Sequence, residues 1–290
     1  MIKSMTGFGK VTAELPSKKV TVEVKALNSK QLDLSTRIPS AYREKEMDIR
    51  NLLLQNLERG KIEFSIYIEY IGRDTPTQIN SAAIENYYLQ IKEVSDKLNI
   101  ELPSDWFKIL LRLPDVIRTE APEADETEWD IVEAAIENAI KQLMEFRIQE
   151  GNMLSKLFEE KINNIAVLLT EIEKYEGERI ERVKTRIQEN LEKIAGMDFD
   201  KNRFEQEMIY YIEKLDINEE KNRLDNHLKY FINTMKDDSS AGKKLGFIAQ
   251  EIGREVNTLG SKSNHAEMQQ IVVRMKDELE QIKEQVLNVL

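Results

Sequence analysis

The chain has 290 residues and a formal net charge of −11, from 42 basic against 53 acidic side chains, with no cysteine. Lack of cysteine excludes disulfides, thiolate catalysis and zinc–thiolate sites, and no apolar run approaches the roughly 20 residues that span a bilayer. An acidic total argues against coating nucleic acid sequence-wide, so a polyanion would have to meet a focused basic patch. The opening MIKSMTGFGK has no apolar core of the kind a secretory signal carries. Together these features favour the cytoplasm.

In chain order, Gly7-Phe8-Gly9 lacks the third glycine of a dinucleotide fingerprint and reads as an early turn or bulge. Lys19–Leu27 alternates through Val20, Val22 and Val24, a strand with a period of two. Leu32 and Leu34 continue a strand toward Pro39. Ser40 reads as the N-cap of a helix over Tyr42–Leu57, ended by Arg59-Gly60. Lys61–Tyr70 alternates through Ile62, Phe64, Ile66 and Ile68, again a strand. Short helices are expected over Ser81–Leu98 and Ser104–Leu111, with the acidic stretch Glu120–Glu128 as a linker. All six prolines lie at or before Pro122, leaving 168 residues without one; since proline breaks helix interiors, the back of the chain should be helical.

From Trp129 the apolar positions step by threes and fours. Leu154, Phe158, Ile162, Ile165, Leu168, Ile172 and Tyr175 predict a long coiled-coil-like arm or a hairpin, broken near Gly177 and ended near Gly196. Residues 201–235, 242–259 and 266–288 read as further helices. The expected fold is α+β: a small, mostly antiparallel sheet with helices, then the arm, then a C-terminal helical domain. The corresponding domains are 1–122, 123–200 and 201–290.

Two segments carry chemistry. In GKKLGFIAQEIGREVNTLGSK, residues 242–262, Leu245, Ile248, Ile252, Val256 and Leu259 share one face at 100° per residue. Lys244, Glu251, Glu255, Thr258 and Lys262 form a narrow stripe beside it. Carboxylates at the edge of a buried seam are costly unless paired or bound to a cation. Two of them one turn apart can chelate a hard divalent ion. The competing structural reading is a surface helix held by ion pairs, although only Arg254 lies suitably spaced from Glu251. This stretch is locally basic, with four basic residues (Lys243, Lys244, Arg254, Lys262) against two acidic over 239–262.

The second segment is DINEEKNRLDNHL, Asp216–Leu228. Glu220, Arg223 and His227 lie together beside Ile217, Leu224, Leu228 and Phe231. If the two seams pack, Glu220, His227, Glu251 and Glu255 would meet as a divalent-metal or acid–base site, with Arg223 and Arg254 facing an anion. Alternatively, Asp216 and Glu219 form a capping pair and the rest are surface ion pairs; for Glu219 capping is the preferred reading. His265 reads as a loop residue or helix start. Gly246 and Gly253 share a side of their helix and would permit close helix approach. The aromatics look scattered rather than arranged for base stacking.

SMTGFGK at 4–10, EVKALNSKQLDL at 23–34, RIP at 37–39, RGKIE at 59–63, LLRLPDV at 110–116, DINEEKNRLDNHL, GKKLGFIAQEIGREVNTLGSKSN and the closing IKEQVLNV resemble the bacterial YicC/YloC family. The resemblance covers nearly the whole chain in order. It implies a metal-dependent endoribonuclease acting on single-stranded or structured RNA, linked to small-RNA turnover. It further implies a homohexamer whose N-terminal domains assemble a ring. Motif positions carried over are Glu219, Glu220, Arg223, His227, Gln250, Glu251, Arg254, Glu255, Asn257 and Lys262. The family usually has an acidic or amide residue where this chain has His265, which makes His265 a poor catalytic candidate.

The expected mechanism is divalent-ion-assisted phosphodiester hydrolysis, with Mn2+ or Mg2+ held by Glu251 and Glu255 and helped by Glu220 or His227. Arg223, Lys243, Lys244, Arg254, Asn257 and Lys262 would bind RNA. Two rivals stand beside it: an RNA-binding adaptor that recruits another ribonuclease, and a scaffold built on the 152–194 arm.

Overall fold

A computed structural model describes residues 2–29, 31–71, 77–102, 104–119, 125–195, 206, 209, 210, 213–236 and 241–290. The backbone gathers into two compact units. One comprises Phe8–Lys25 and Leu32–Leu143, the other Met1–Gly7, Ala26–Gln31 and Met144–Leu290.

The first unit is built on a four-stranded sheet of order β1-β2-β4-β3, from strands β1 (Gly7–Glu14), β2 (Lys18–Leu27), β3 (Leu32–Arg37) and β4 (Gly60–Tyr70). The period of two places Val20, Val22 and Val24 of β2, and Ile62, Phe64 and Ile66 of β4, in the interior. Only three residues join β1 to β2, too few for a parallel crossover, so that pair is antiparallel. In contrast, β3 and β4 run parallel, with Leu32 opposite Gly60 and Arg37 opposite Ser65. The chain between them supplies the crossover: a 3-10 turn over Ser40–Lys45 and helix α1 (Glu46–Asn56).

Two local expectations are corrected here. Gly7-Phe8-Gly9 is not a turn but the start of β1. A Cβ on Gly9 would lie 1.9 Å from the Ala139 carbonyl oxygen, so the strand needs glycine to approach a helix backbone. Ser40 is not the cap of an α-helix: the 3-10 turn follows Pro39 with no side-chain cap, and Tyr42 inside it is non-helical. Burial explains that departure. Tyr42 is 1% exposed, its hydroxyl donates to Glu128 Oε1 at 2.6 Å, and Lys18 Nζ reaches the same oxygen at 2.8 Å.

Farther along, β5 (Thr77–Ile79) and β6 (Ile117–Thr119) pair antiparallel around helices α2 (Ser81–Leu98) and α3 (Trp106–Leu110). Asn80 caps α2 by accepting from the Ala83 amide at 3.2 Å. Within the expected linker, residues 120–124 lie outside the described residues, and Glu126 already opens α4.

Helix α4 runs unbroken over 70 residues, Glu126–Ala195, passing through Gly177 without the expected interruption. Lone glycine costs a helix only about 1 kcal/mol, far less than proline, and Gly177 has open space around it rather than a neighbour to turn toward. Its expected end at Gly196 lies outside the described residues. So do residues 201–205, 207, 208, 211 and 212 of the helical region expected over 201–235.

In the second unit the described helices are the later part of α4, α5 (Asn218–Lys236), α6 (Gly242–Lys262) and α7 (Ala266–Val286). One core holds Phe158, Ile162, Ile165 and Ile172 of α4, Leu224, Leu228 and Phe231 of α5, the α6 seam, and Met268, Ile271, Met275, Leu279 and Ile282 of α7. Phe158 and Phe231 meet edge to face at 5.7 Å. Gly246 and Gly253 both turn toward α7, where added Cβ atoms would meet Val286 and Leu279. The approach is tight at Gly253, where the Cβ would stand 3.2 Å from Leu279, but an ordinary 3.6 Å at Gly246, so close approach is the role of Gly253 alone.

Candidate functional site

The apolar seams of α5 and α6 pack against each other, which carries the ionisable stripes beside them to one rim. Two contacts set the register. Lys262 Nζ, at the end of α6, pairs with Glu220 Oε1 near the start of α5 at 2.7 Å. Lys244 Nζ, at the start of α6, lies 5.0 Å from the centroid of the Tyr230 ring, three turns farther along α5. The helices are thus antiparallel. These contacts span 18 residues of α6 but 10 of α5, the long lysine side chains bridging the difference. The midpoint between them brings Glu255 nearest the level of Arg223 and Leu224, and Glu251 nearest that of His227.

The predicted residues occupy distinct environments along this rim. Glu220 and Glu255 are 6% and 5% exposed. One Glu220 oxygen is held by Lys262, while Oε2 is buried without a hydrogen-bond partner. Glu255 makes no ion pair with any described residue. Glu251 is exposed, and among the described residues it pairs with Arg254 Nη1 at 4.0 Å. His227 is half-buried. Lys243, Arg254 and Asn257 are exposed on α6.

Several of these side chains have other commitments. Arg223 pairs with Glu219 four residues earlier, so Glu219 does not serve as the expected cap. Asp216 does: its Oδ1 accepts from the Asn218 amide at 3.1 Å. Lys262 also donates to the Asp216 carbonyl oxygen at 2.9 Å. Its own carbonyl accepts from Arg179 Nη1 at 3.3 Å. Burial pulls the Arg179 guanidinium below its usual pKa, opposed by Glu176 and Asp216. Lys262 is therefore a clasp between the ends of α5 and α6 as well as a cation.

Among the described residues, no three acidic or histidine side chains stand close enough to hold a metal ion together. The expected trio of Glu220, Glu251 and Glu255 does not assemble within one chain: Glu220 sits in the first turn of α5 and is paired with Lys262 instead. What remains is narrower: two carboxylates one turn apart on α6, neither held by a close cation among the described residues, Glu255 on a largely buried residue and Glu251 exposed. Two hard carboxylates one turn apart, with no competing lysine among the described residues, suit an incoming divalent ion. Mg2+-like ions are commonly held by only one or two carboxylates, with water and phosphate completing the shell.

Two features at the rim escaped the sequence reading. Tyr230 and Phe247 looked scattered, yet Tyr230 follows Arg223 and His227 by seven and three residues and so shares their face. That spacing was the available signal. His265 has a fully buried side chain at the N-cap of α7, with Nδ1 3.0 Å from Glu267 Oε2 and Nε2 3.8 Å from Glu178 Oε2. Neither nitrogen is aligned for a hydrogen bond. Its ring lies 5.4 Å from Tyr175, so His265 is a packing residue away from the solvent-facing rim.

Fold and rim define an α+β protein whose sheet unit is followed by a helical unit carrying its ionisable groups between two antiparallel helices. Residues 2–156 match the family described as "Endoribonuclease YicC-like, N-terminal region", and residues 172–290 match "Endoribonuclease YicC-like, C-terminal". A Clostridioides difficile (strain 630) protein named "Probable endoribonuclease YicC" is 32% identical over 295 residues, covering 100% of both chains. A Haemophilus influenzae protein of the same name is 30% identical over 293 residues, covering 99% of each. The chain belongs to the YicC-like endoribonuclease family.

Proposed function

We propose that this protein is an endoribonuclease that cuts RNA at the α5–α6 rim. The observation carrying the proposal is the pair of cross-helix contacts, Lys262 to Glu220 and Lys244 to Tyr230, which supports a register with Glu251 and Glu255 near the level of His227 and Arg223. Full-length similarity to relatives named probable endoribonucleases supports the reaction class. In this reading Glu251 and Glu255 hold a divalent cation, Mn2+ or Mg2+, which when bound would lower the pKa of water and offset charge on phosphate. Glu255, on a largely buried residue, would supply one ligand and exposed Glu251 the other. His227, half-buried and level with Glu251, exchanges a proton with the attacking or leaving oxygen. Lys243, Lys244, Arg254 and Arg223 hold flanking phosphates, and Asn257 adds a neutral hydrogen bond at the α6 end. Glu220 and Lys262 keep the two helices in register.

The net charge of −11 opposes RNA binding by an isolated chain. Homo-oligomerisation, a hexamer in our reading, brings several copies of the rim to one surface and focuses their field. A role in small-RNA turnover in the cytoplasm fits this activity; among the described residues no helix is long and apolar enough to cross a membrane.

With no third acidic or histidine side chain joining Glu251 and Glu255 among the described residues, one alternative is an RNA-binding adaptor that recruits another ribonuclease. Cleavage of an end-labelled RNA decides between them. Wild type should cut with manganese and stop with EDTA, whereas Glu251→Gln/Glu255→Gln should bind but not cut. Equal cleavage by the double variant would reject the site, and metal-supported binding without any cleavage by pure wild type would favour the adaptor.

A further inference from the structure

We infer that Tyr230 and Phe247 form a stacking subsite for one unpaired RNA base, next to the position where the chain is cut. This inference rests on the endoribonuclease reading above and specifies what the rim requires of its substrate. Tyr230 is 48% exposed and Phe247 58% exposed, although each sits on a helix whose other face enters the core. Tyr230 lies one turn beyond His227 on α5, and Phe247 lies one turn before Glu251 on α6. In the antiparallel register both positions fall at the same end of the rim, beyond the candidate acid–base groups. Lys244 links the two helices here: it is three residues before Phe247 on α6, and its Nζ lies 5.0 Å from the Tyr230 ring centroid. Lys243 is exposed beside it.

The chemistry of the patch selects the occupant. Exposed apolar side chains elsewhere include both aliphatic ones, such as Leu89 and Val94, and aromatic ones, such as Phe8 and Phe107; what sets Tyr230 and Phe247 apart is their place one turn from His227 and Glu251. Here the exposed apolar groups are aromatic, and the adjacent charges are lysines. Aromatic faces stack on bases of any identity, while ammonium groups track the backbone phosphates. A base inside a duplex is already stacked and shows no free face, so the subsite admits only unpaired nucleotides. Placement one turn from Glu251 and His227 couples that requirement to the choice of bond: cleavage falls beside an unpaired nucleotide, with little preference for which base.

The test uses the full-length protein and fluorescein-labelled RNA, with binding read by anisotropy in EDTA across a salt series. Tyr230→Ala/Phe247→Ala should weaken binding to an unstructured oligouridylate at least about fivefold, within the usual range for losing one stacked base. The salt slope should not change, since no phosphate contact is removed, and binding to a blunt duplex should stay within twofold. An oligouridylate with a single abasic site should bind wild type more weakly but leave the double variant unaffected by the lesion. Phe247→Tyr should restore affinity to Phe247→Ala. Both side chains are exposed, and the two single variants give the same reading if the double variant does not fold. Unchanged affinity for unstructured RNA, an equal loss on duplex, or a changed salt slope would overturn the subsite. Aromatic-dependent binding without cleavage would reject the catalytic reading and leave the subsite standing. Cleavage that is indifferent to both alanines would do the reverse.

Discussion

Lys262 decides whether the end of the rim holds RNA or holds the protein. Lys262→Met removes the ammonium 2.7 Å from Glu220 Oε1 and 2.9 Å from the Asp216 carbonyl oxygen. Removing one partner of a buried pair typically costs about 3–5 kcal/mol, because the other charge is left uncompensated. Here the Glu220 side chain is 8% exposed, but that of Lys262 is 29% exposed, so water can take over part of the vacated place. We therefore expect a loss of about 2 kcal/mol. Glu220→Gln/Lys262→Met should recover most of it, since the uncompensated charge is gone, leaving a coupling energy of about 1–2 kcal/mol. Urea unfolding followed by far-UV circular dichroism measures both quantities. RNA anisotropy on the same samples separates a clasp from a phosphate ligand. A clasp shifts stability and leaves the salt dependence alone, whereas a ligand flattens the log–log salt slope by about 0.7 for single-stranded RNA. Stability within about 0.5 kcal/mol of wild type, together with a flattened slope, would refute the clasp.

Three further outcomes are expected from contacts away from the rim. Gly9→Ala would set a Cβ 1.9 Å from the Ala139 carbonyl oxygen and 2.9 Å from its carbon. Both are backbone atoms that cannot rotate aside, so thermal unfolding should report a loss of about 3 kcal/mol; an unchanged midpoint would mean that β1 does not lie on α4. Phe231→Ala removes a 0% exposed ring and should cost about 3–5 kcal/mol in urea unfolding, with a smaller loss for Phe231→Leu. Burial, then the hydrogen bond to and charge of Glu128, raise the Tyr42 pKa above that of a free phenol. The stabilisation this implies is complete below the unfolded pKa of about 10 and is lost as pH rises beyond it. Tyr42→Phe should therefore flatten the fall in stability between about pH 10 and 12, and an unaltered alkaline limb would count against this assignment.

What the sequence revealed, and what it hid, separates along a physical line. Helix α2 falls over Ser81–Leu98 as its period and turn residues indicate, and the alternation at Val20, Val22 and Val24 marks a strand. These are local patterns: periodicity and chain punctuation are complete within a dozen residues. Strand direction is not local. The alternation in Leu32–Arg37 is equally compatible with a parallel or an antiparallel neighbour, and the crossover through α1 makes it parallel to β4. Gly9 shows the same limit more sharply. Its reason for being glycine is Ala139, 130 residues away, so within its own segment it could only suggest a turn. Gly177 is the converse, a residue whose usual punctuating effect is overridden by helix-forming sequence on both sides.

The candidate site combines both kinds of information, which is why only part of it was readable. Each stripe follows from 100° geometry within one helix: Glu251 and Glu255 on α6, and Arg223 and His227 on α5. Their meeting depends on the phase between two helices, and neither period contains that phase. Lys262 pairing with Glu220 fixes it at one end, and Lys244 over Tyr230 at the other. Close packing of Gly253 and Gly260 against Leu279 and Val272 of α7 holds α6 from behind. A slip of one residue would turn α6 by 100° and carry Glu255 away from the rim. The chemistry proposed for Glu251, Glu255 and His227 therefore depends on contacts that touch no substrate. Substitutions at Gly253 or Gly260 should lower cleavage together with stability, whereas Glu251→Gln should lower cleavage alone. Parallel loss of both properties in Glu251→Gln would place that glutamate among the structural groups instead.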